Sequence, residues 1–296
     1  MRLALASLPL LLLAVGTARA DGLEPTPTCP DDAGWSDPTP PRKVFGNTWY
    51  VGTCGISAIL ITGDNGHVLI DGATPEAGPM IVERIRTLGF DPKDVRVLLN
   101  THEHIDHAGG LAAIQQATGA PLRARRPGLI ALRKGDMDMR DPQVPFRMPG
   151  FPPVPVIETL ADNAEVRVGD LVIQTHATPG HSLGGTSFTW TSCEGETCHA
   201  LAFADSLSAV APDTYRFSDP ANSPAFVPLL RQAFATVAAL PCDILVSPHP
   251  VASRLWYRLG EAPSEPLVDP TACRRYAEAG ARRLDARLAT ERPATP

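Results

Sequence analysis

The chain has 296 residues, 26 Lys and Arg against 32 Asp and Glu, and a formal net charge of -6. An acidic balance, 6% aromatic residues and no basic cluster interleaved with Phe or Tyr give no electrostatic footprint for nucleic acid, so no nucleic-acid partner is expected. Residues 1–20 read as a secretory signal peptide. Arg2 is its basic start, Leu8 to Val15 its apolar run, and Ala18-Arg19-Ala20 the small-residue cleavage site before Asp21. The apolar part is too short for a stable membrane span, and no other stretch is longer, so membrane insertion is not expected. Removing the segment takes two of the 26 basic residues and none of the 32 acidic ones, moving the net charge from -6 to -8. Residues 21–296 then read as one domain, exported to the periplasm and monomeric, with enough chain for a substantial core.

The six cysteines, Cys29, Cys54, Cys193, Cys198, Cys242 and Cys273, all lie beyond the signal. An even number in an exported chain argues for disulfides. Cys193 and Cys198 flank the polar turn Glu194-Gly195-Glu196-Thr197, and a hairpin there brings them together. The simplest non-crossing solution for the rest is Cys29 with Cys54 and Cys242 with Cys273. The alternative, half of a thiolate zinc site at Cys193 and Cys198, has no nearby partners to complete it.

Asp21 to Pro41, rich in Pro, Asp and Gly, is expected on the surface, pinned by Cys29 and by Trp35 against the body. Thr48 to Val51, Ile56 to Ile61 and Val68 to Ile70 read as strands, the last two joined by an Asn65-Gly66 hairpin turn. Pro79 to Leu88 reads as an amphipathic helix closed by Gly89, and Val95 to Leu99 as a short buried strand. After the polar run at 101–107, Gly109-Gly110 is expected to let the backbone turn into a helix from Leu111 to Thr118. Leu122 to Ala124 is a candidate strand and Pro127 to Lys134 a helix. Gly135 to Pro155 has six prolines among Met, Phe and charged residues without a clean period, the pattern of an irregular rim or lid. Val156 to Leu160, Ala164 to Val168 and Leu171 to His176 read as antiparallel strands. Thr186 to Trp190, Leu201 to Ala204 and Asp243 to Val246 add three more. Ala225 to Ala239 and Ala272 to Thr290 are helices. The second half repeats the element order of the first, which gives an α/β architecture with facing sheets inside and helices outside.

Within this frame, Thr101-His102-Glu103-His104-Ile105-Asp106-His107 places three of the chain's eight histidines and two carboxylates in six residues. Imidazole and carboxylate are the usual nitrogen and oxygen ligands of zinc. His102 and His104 alternate along the segment while Asp106 and His107 are adjacent and point apart, so the run reads as the floor of a site for two metals. The segment follows the C-terminal end of a strand, where open α/β sheets place ligands. His181, in Thr178-Pro179-Gly180-His181, and His249, in Ser247-Pro248-His249-Pro250, also follow strands and are expected to present their side chains. Three ligands for each ion, with a position left for water, then give His102, His104 and His181 on one metal and Asp106, His107 and His249 on the other. His67, His176 and His199 are read as structural or exposed.

These motifs resemble the metallo-β-lactamase superfamily, and most closely its subclass B3 zinc β-lactamases. The likeness runs from about Asn47 to Ala281 and includes Tyr50-Val51-Gly52-Thr53, Val68-Leu69-Ile70-Asp71-Gly72, Ala204-Asp205-Ser206-Leu207-Ser208-Ala209 and Ala239-Leu240-Pro241-Cys242-Asp243. The resemblance implies a four-layer αβ/βα sandwich, two zinc ions with the ligand split above, and a Cys242 to Cys273 disulfide. Ser206 stands where other zinc β-lactamases place a cysteine ligand, which fits subclass B3, with His107 as ligand instead. It also implies that Ser206 and Ser208 help hold a substrate carboxylate, that Asp71 orients a ligand imidazole, and that Thr53 and the 135–155 segment line the rim.

The implied activity is hydrolysis of penicillins, cephalosporins and carbapenems, conferring antibiotic resistance. The implied catalytic residues are Asp106, His102, His104 and His181. Paired metals lower the pKa of bound water enough to make a nucleophile near neutral pH, and no covalent enzyme intermediate is needed. Relatives that cleave lactones or thioesters share the histidine cluster and add an Asp bridging both metals. Asp205 stands near that place, so an exported dinuclear zinc lactonase or thioesterase is the alternative. Asp205 is expected to be a structural carboxylate rather than a bridge.

Overall fold

Val68, Leu69 and Ile70 are all fully buried, as a strand must be when both of its faces are covered. The computed structural model, which describes residues 29–222, 225–260 and 263–291, shows what covers them. The signal-peptide reading falls on residues outside these. The first half comprises β1 (Arg42–Phe45), β2 (Thr48–Tyr50), β3 (Ile59–Ile61), β4 (His67–Ile70), α1 (Ala77–Thr87), β5 (Val95–Leu99), α2 (Ile105–Ala108), α3 (Leu111–Thr118), β6 (Leu122–Arg125), α4 (Leu129–Lys134) and β7 (Ile157–Leu160). Its strands form one sheet in the order 1-2-3-4-5-6-7, antiparallel up to β4 and parallel from β4 to β7. The second half comprises β8 (Glu165–Val168), β9 (Leu171–Ala177), β10 (Thr186–Glu194), β11 (Thr197–Phe203), α5 (Phe226–Ala238), β12 (Ile244–Val246), α6 (Leu255–Arg258) and α7 (Ala272–Thr290). Its sheet runs 12-11-10-9-8, with only β11 and β12 parallel.

Alternation along the strands sorts side chains into layers. Ile59, Ile61, Val68, Ile70, Val97 and Leu99 face Ile173, Phe188, Leu201, Phe203, Ile244 and Val246 in one core between the sheets. Leu60, Leu69 and Leu98 point the other way, into a core with Ile81 and Ile85 of α1 and Leu111 and Ile114 of α3. Ala202, Ala204 and Leu245 meet Leu230 and Phe234 of α5 and Tyr276 and Leu284 of α7. The result is the expected four-layer αβ/βα sandwich. Apolar burial on this scale, at about 25 cal/mol per Å², is what holds the layers together. Among the described residues no helix is long and apolar enough to cross a membrane.

Two expectations change. The strand at 157–160 does not join β8 and β9 in an antiparallel set; it pairs parallel with β6 on the edge of the first sheet, and the chain crosses to the other sheet at residues 161–164. β1 also extends the structure into a stretch between the Pro-rich segment and Thr48 that carries Arg42 and Lys43, polarity an edge strand tolerates. All three expected disulfides are present, Cys29–Cys54, Cys193–Cys198 and Cys242–Cys273, and no cysteine is free.

Candidate metal centre

β5 ends at Leu99, and the next turn is fixed by Asp71 at the end of β4. The Asp71 carboxylate accepts from Asn100 Nδ2 (3.0 Å), Thr101 N (2.7 Å) and Thr101 Oγ1 (2.6 Å). Asp71 itself has φ 66°, a left-handed conformation uncommon for a residue with a side chain. The turn delivers His102 and His104 in extended backbone and then starts α2, which carries Asp106 and His107. Gly109 and Gly110 do not serve to turn the chain, since their φ values of -58° and -83° suit any residue. They serve close approach: a Cβ on Gly110 would lie 2.2 Å from the Gly72 carbonyl oxygen.

His181 follows β9 and His249 follows β12, so the second sheet supplies the remaining imidazoles. Glu103 holds the two halves in register. It is buried, accepts from Ser182 Oγ at 2.8 Å and Gly184 N at 3.0 Å, and lies against Gly184, where a Cβ would come within 2.4 Å of Oε2. Arg125 at the end of β6 adds a bond from Nη1 to the Gly185 carbonyl (2.7 Å).

Two triads can each hold an ion with ligand atoms within 4.8 Å of one another: His102, His104 and His181, and His102, Asp106 and His107. His249 stands beside the second, its Nε2 3.3 Å from Asp106 Oδ2 and its ring centre 5.1 Å from that of His107. Its side chain is 32% exposed. His181, expected to be presented to solvent, is instead buried, packed against the rings of His102 and His104.

In the first triad one ring nitrogen of each histidine is committed to a protein acceptor. His102 Nδ1 donates to Asp205 Oδ1 (2.9 Å), His104 Nε2 to Asp141 Oδ2 (2.8 Å), and His181 Nδ1 to the Ser208 carbonyl (2.9 Å). This arrangement fixes the tautomers so that the other nitrogen keeps its lone pair for a metal. His102 Nε2 and both nitrogens of His107 are buried without a hydrogen bond; the 3.0 Å approach of His107 Nε2 to Asp106 Oδ2 is a charge contact only. Buried polar atoms are almost always satisfied, and a cation completes these.

The electrostatics separate the imidazoles: burial opposes the charge of His104, yet Asp141 outweighs it and raises that histidine. Burial, then the neighbouring imidazoles, hold His102 well below the usual histidine range and bring His181 down to about 3, so both are neutral and ready to ligate. Burial opposes the charge of His107, yet Asp106 outweighs it and lifts His107 to about 10. Burial raises the carboxyls of Glu103 and Asp205.

Beside the triads lies a cleft of about 260 Å³, lined by Trp35, His104, Ile105, Asp106, Gln143 and the apolar Met137, Phe146, Met148, Phe151 and Val210. The 135–155 segment is therefore one wall of the site. Thr53 does not line the rim: it is fully buried, and its hydroxyl donates to the Trp35 carbonyl (2.6 Å). A larger groove of about 740 Å³, between the β3–β4 turn, β9 and β10, contains none of these histidines. His67, His176 and His199 stand away from the triads, against Phe90, Thr189 and Phe45.

A four-layer sandwich with two overlapping imidazole and carboxylate triads at its strand ends defines a dinuclear zinc protein. The metallo-beta-lactamase superfamily model matches residues 51–194. The crystal structure of MIM-1 from Novosphingobium pentaromativorans is 46% identical, covering 87% of this chain and 93% of that one, with a TM-score of 0.82. That of MEM-A1, a subclass B3 metallo-beta-lactamase isolated from a soil metagenome library, is 43% identical over 87% of this chain and 98% of that one, with a TM-score of 0.83. The chain belongs to the metallo-β-lactamase superfamily, and it matches subclass B3 members along nearly their whole length. Among curated sequences, the N-acyl homoserine lactonase AttM of Rhizobium johnstonii is 31% identical over 156 residues, 44% of this chain and 57% of the relative. The chain spans about half the length of the curated relatives it matches.

Proposed function

We propose that this protein hydrolyses the ring amide of penicillins, cephalosporins and carbapenems and so confers resistance to them, acting in the periplasm as a monomer whose residues 21–296 form one catalytic domain. The observation that supports this reading over a lactonase or thioesterase is the commitment of Asp205. Its Oδ1 accepts from His102 Nδ1, the ring nitrogen turned away from the triad, at 2.9 Å. Its Oδ2 makes no hydrogen bond and packs against Gly185, where a Cβ would lie 2.6 Å from it, so with Oδ1 held behind the His102 ring the carboxylate acts as a positioning group rather than a bridge between two metals.

His102, His104 and His181 hold one zinc and Asp106, His107 and His249 the other. Two zinc ions there supply Lewis acidity and make a water acidic enough to serve as nucleophile near neutral pH. Asp106 turns Oδ2 toward His107 Nε2 (3.0 Å) and His249 Nε2 (3.3 Å), which leaves its other oxygen to orient the nucleophile and take its proton. Trp35 on one side of the cleft and Phe146, Met148 and Phe151 on the other bind the apolar parts of the drug and exclude water from the reacting amide. Ser206 and Ser208, on the segment leading from β11 to the cleft residue Val210, hold the substrate carboxylate. Ser208 also has its Oγ 3.1 Å from His181 Nδ1, which ties substrate binding to the orientation of that histidine.

The test is a hydrolysis screen of the zinc-loaded protein against a penicillin, a cephalosporin, a carbapenem, an acyl-homoserine lactone and a thioester. Turnover of the three drug classes is expected. Turnover of the lactone or thioester with the drugs untouched overturns the reading.

A further inference from the structure

We propose that Asp141, a residue of the rim segment and of neither histidine cluster, fixes the ligating tautomer of His104 and anchors the wall of the cleft with the same carboxylate. Its Oδ2 accepts from His104 Nε2 at 2.8 Å, and its Oδ1 accepts from the backbone N–H of Gln143 at 2.7 Å. The surrounding turn closes on the same residue: Asp141 N donates to the Asp138 carbonyl (2.8 Å), and Val144 N donates to the Asp141 carbonyl (3.2 Å). Asp141 is only 5% exposed, although Met139 and Phe146 on either side are 76% and 44% exposed. A buried carboxylate in a solvent-facing loop needs such partners to offset its desolvation.

The two bonds have separate consequences. With Nε2–H donated to Asp141, His104 can offer only Nδ1 to the triad, and the anionic acceptor makes that nitrogen a better donor to a metal. Without the acceptor, the ring is free to turn and either nitrogen can carry the proton. The bond to Gln143 N sets the turn that brings the Gln143 amide to 3.5 Å from His181 Nε2 and leads into Phe146, Met148 and Phe151 of the cleft wall. Asparagine cannot replace both functions, because its single acceptor oxygen serves His104 or Gln143 N but not both.

The proposal rests on the zinc reading of the triads and not on the identity of the substrate, so its test is zinc affinity. Full-length, disulfide-intact protein would be titrated with zinc against a chromophoric chelator for wild type, Asp141→Asn, Asp141→Ala and, as a control on the same loop, Met139→Ala. Both Asp141 variants are expected to weaken one of the two ions by about 10–100-fold, the usual effect of removing the partner of a ligating histidine, while the other ion is held as in wild type. Trypsin is expected to cut after the exposed Arg147 faster in both, because an unpinned loop opens more often. Met139→Ala should match wild type in both measurements. Asp141 variants that keep both zinc affinities overturn the proposal, with or without faster cleavage. Asp141→Asn is nearly isosteric, so it decides the matter if Asp141→Ala does not fold. A wild-type protein that takes up no zinc overturns the metal reading itself.

Discussion

Truncating Glu103 to alanine asks whether one buried carboxylate keeps the His181 turn in register with the His102 segment. The side chain accepts from Ser182 Oγ and Gly184 N and is 2% exposed. Glu103→Ala removes both acceptors and leaves a hydroxyl and an amide N–H stranded in a dry place. A hydrogen bond to a charged group contributes about 1.5–3 kcal/mol, and two of them bound the loss at roughly 3–6 kcal/mol. Part of that gain is already offset by desolvating the carboxylate, the effect that raises its pKa, so about 2–4 kcal/mol is expected. In a domain of this size that lowers Tm by roughly 4–16 °C. Glu103→Gln should cost no more than about 1 kcal/mol, because its oxygen can still accept from Gly184 N while its amide donates to Ser182 Oγ. Urea unfolding of the metal-free, disulfide-intact proteins, followed by far-UV circular dichroism, provides the comparison. An alanine variant as stable as wild type, or a glutamine variant as damaged as the alanine one, refutes the clamp.

Replacing His181 by Ala is expected to lose chiefly the first zinc and Asp106 by Ala chiefly the second, so each purified variant should carry about one ion by elemental analysis. In the metal-free protein, His107 is lifted to about 10, so the stability it contributes is fully present below the ordinary histidine value and is lost as pH rises through 10. His102 and His181 are shifted the other way, the unfolded chain binds their protons more readily, and stability falls as pH drops below about 6.5. Urea midpoints of chelated protein should therefore peak near the ordinary histidine value of about 6.5 and fall on either side of it; a midpoint that keeps rising as pH drops below about 6 contradicts the assignment. Cys242–Cys273, with a separation of 31 residues, should contribute more stability than Cys193–Cys198, separated by 5. Chain entropy gives about 3.7 against about 2 kcal/mol, read as the stability lost in the paired serine variants.

The triad of His102, His104 and His181 and the neighbouring Asp106 and His107 are legible because they lie in short motifs after strands, so local spacing brings them to one end of the sandwich; that His102 also stands within reach of Asp106 and His107, with His249 beside them, depends on the fold. The partners that orient them are not legible. Glu103 sits between two histidines, where its sequence context does not distinguish a clamp from a ligand; the small residues opposite it, Gly128 and Gly184, become informative only once the fold sets them against it. Asp141 lies in a Pro-rich segment without period, and its carboxylate gains meaning only from its contact with His104. Likewise the alternation of Ile157 to Leu160 reveals a strand but not which sheet receives it, because pairing depends on the neighbour and not on the strand itself. β1 gives no clear strand pattern because its charged residues suit an edge, where only one side is paired.

The disulfides and the metal ligands divide the molecule differently. Cys29–Cys54 closes on the first half, and Cys193–Cys198 and Cys242–Cys273 close within the second, so none of them joins one half to the other. The proposed ligand set draws His102, His104, Asp106 and His107 from the end of the first sheet and His181 and His249 from the second. A bound ion with ligands from both is a withdrawable cross-link over the seam, adding about 4 kcal/mol of stability when free zinc exceeds its dissociation constant a thousandfold. Reductant and chelator thus cut different sets of ties, the first within each half and the second one tie across the seam, where the shared core and the Glu103 and Arg125 hydrogen bonds remain. Hydrogen exchange on the two samples would separate cohesion within each half from adhesion between them.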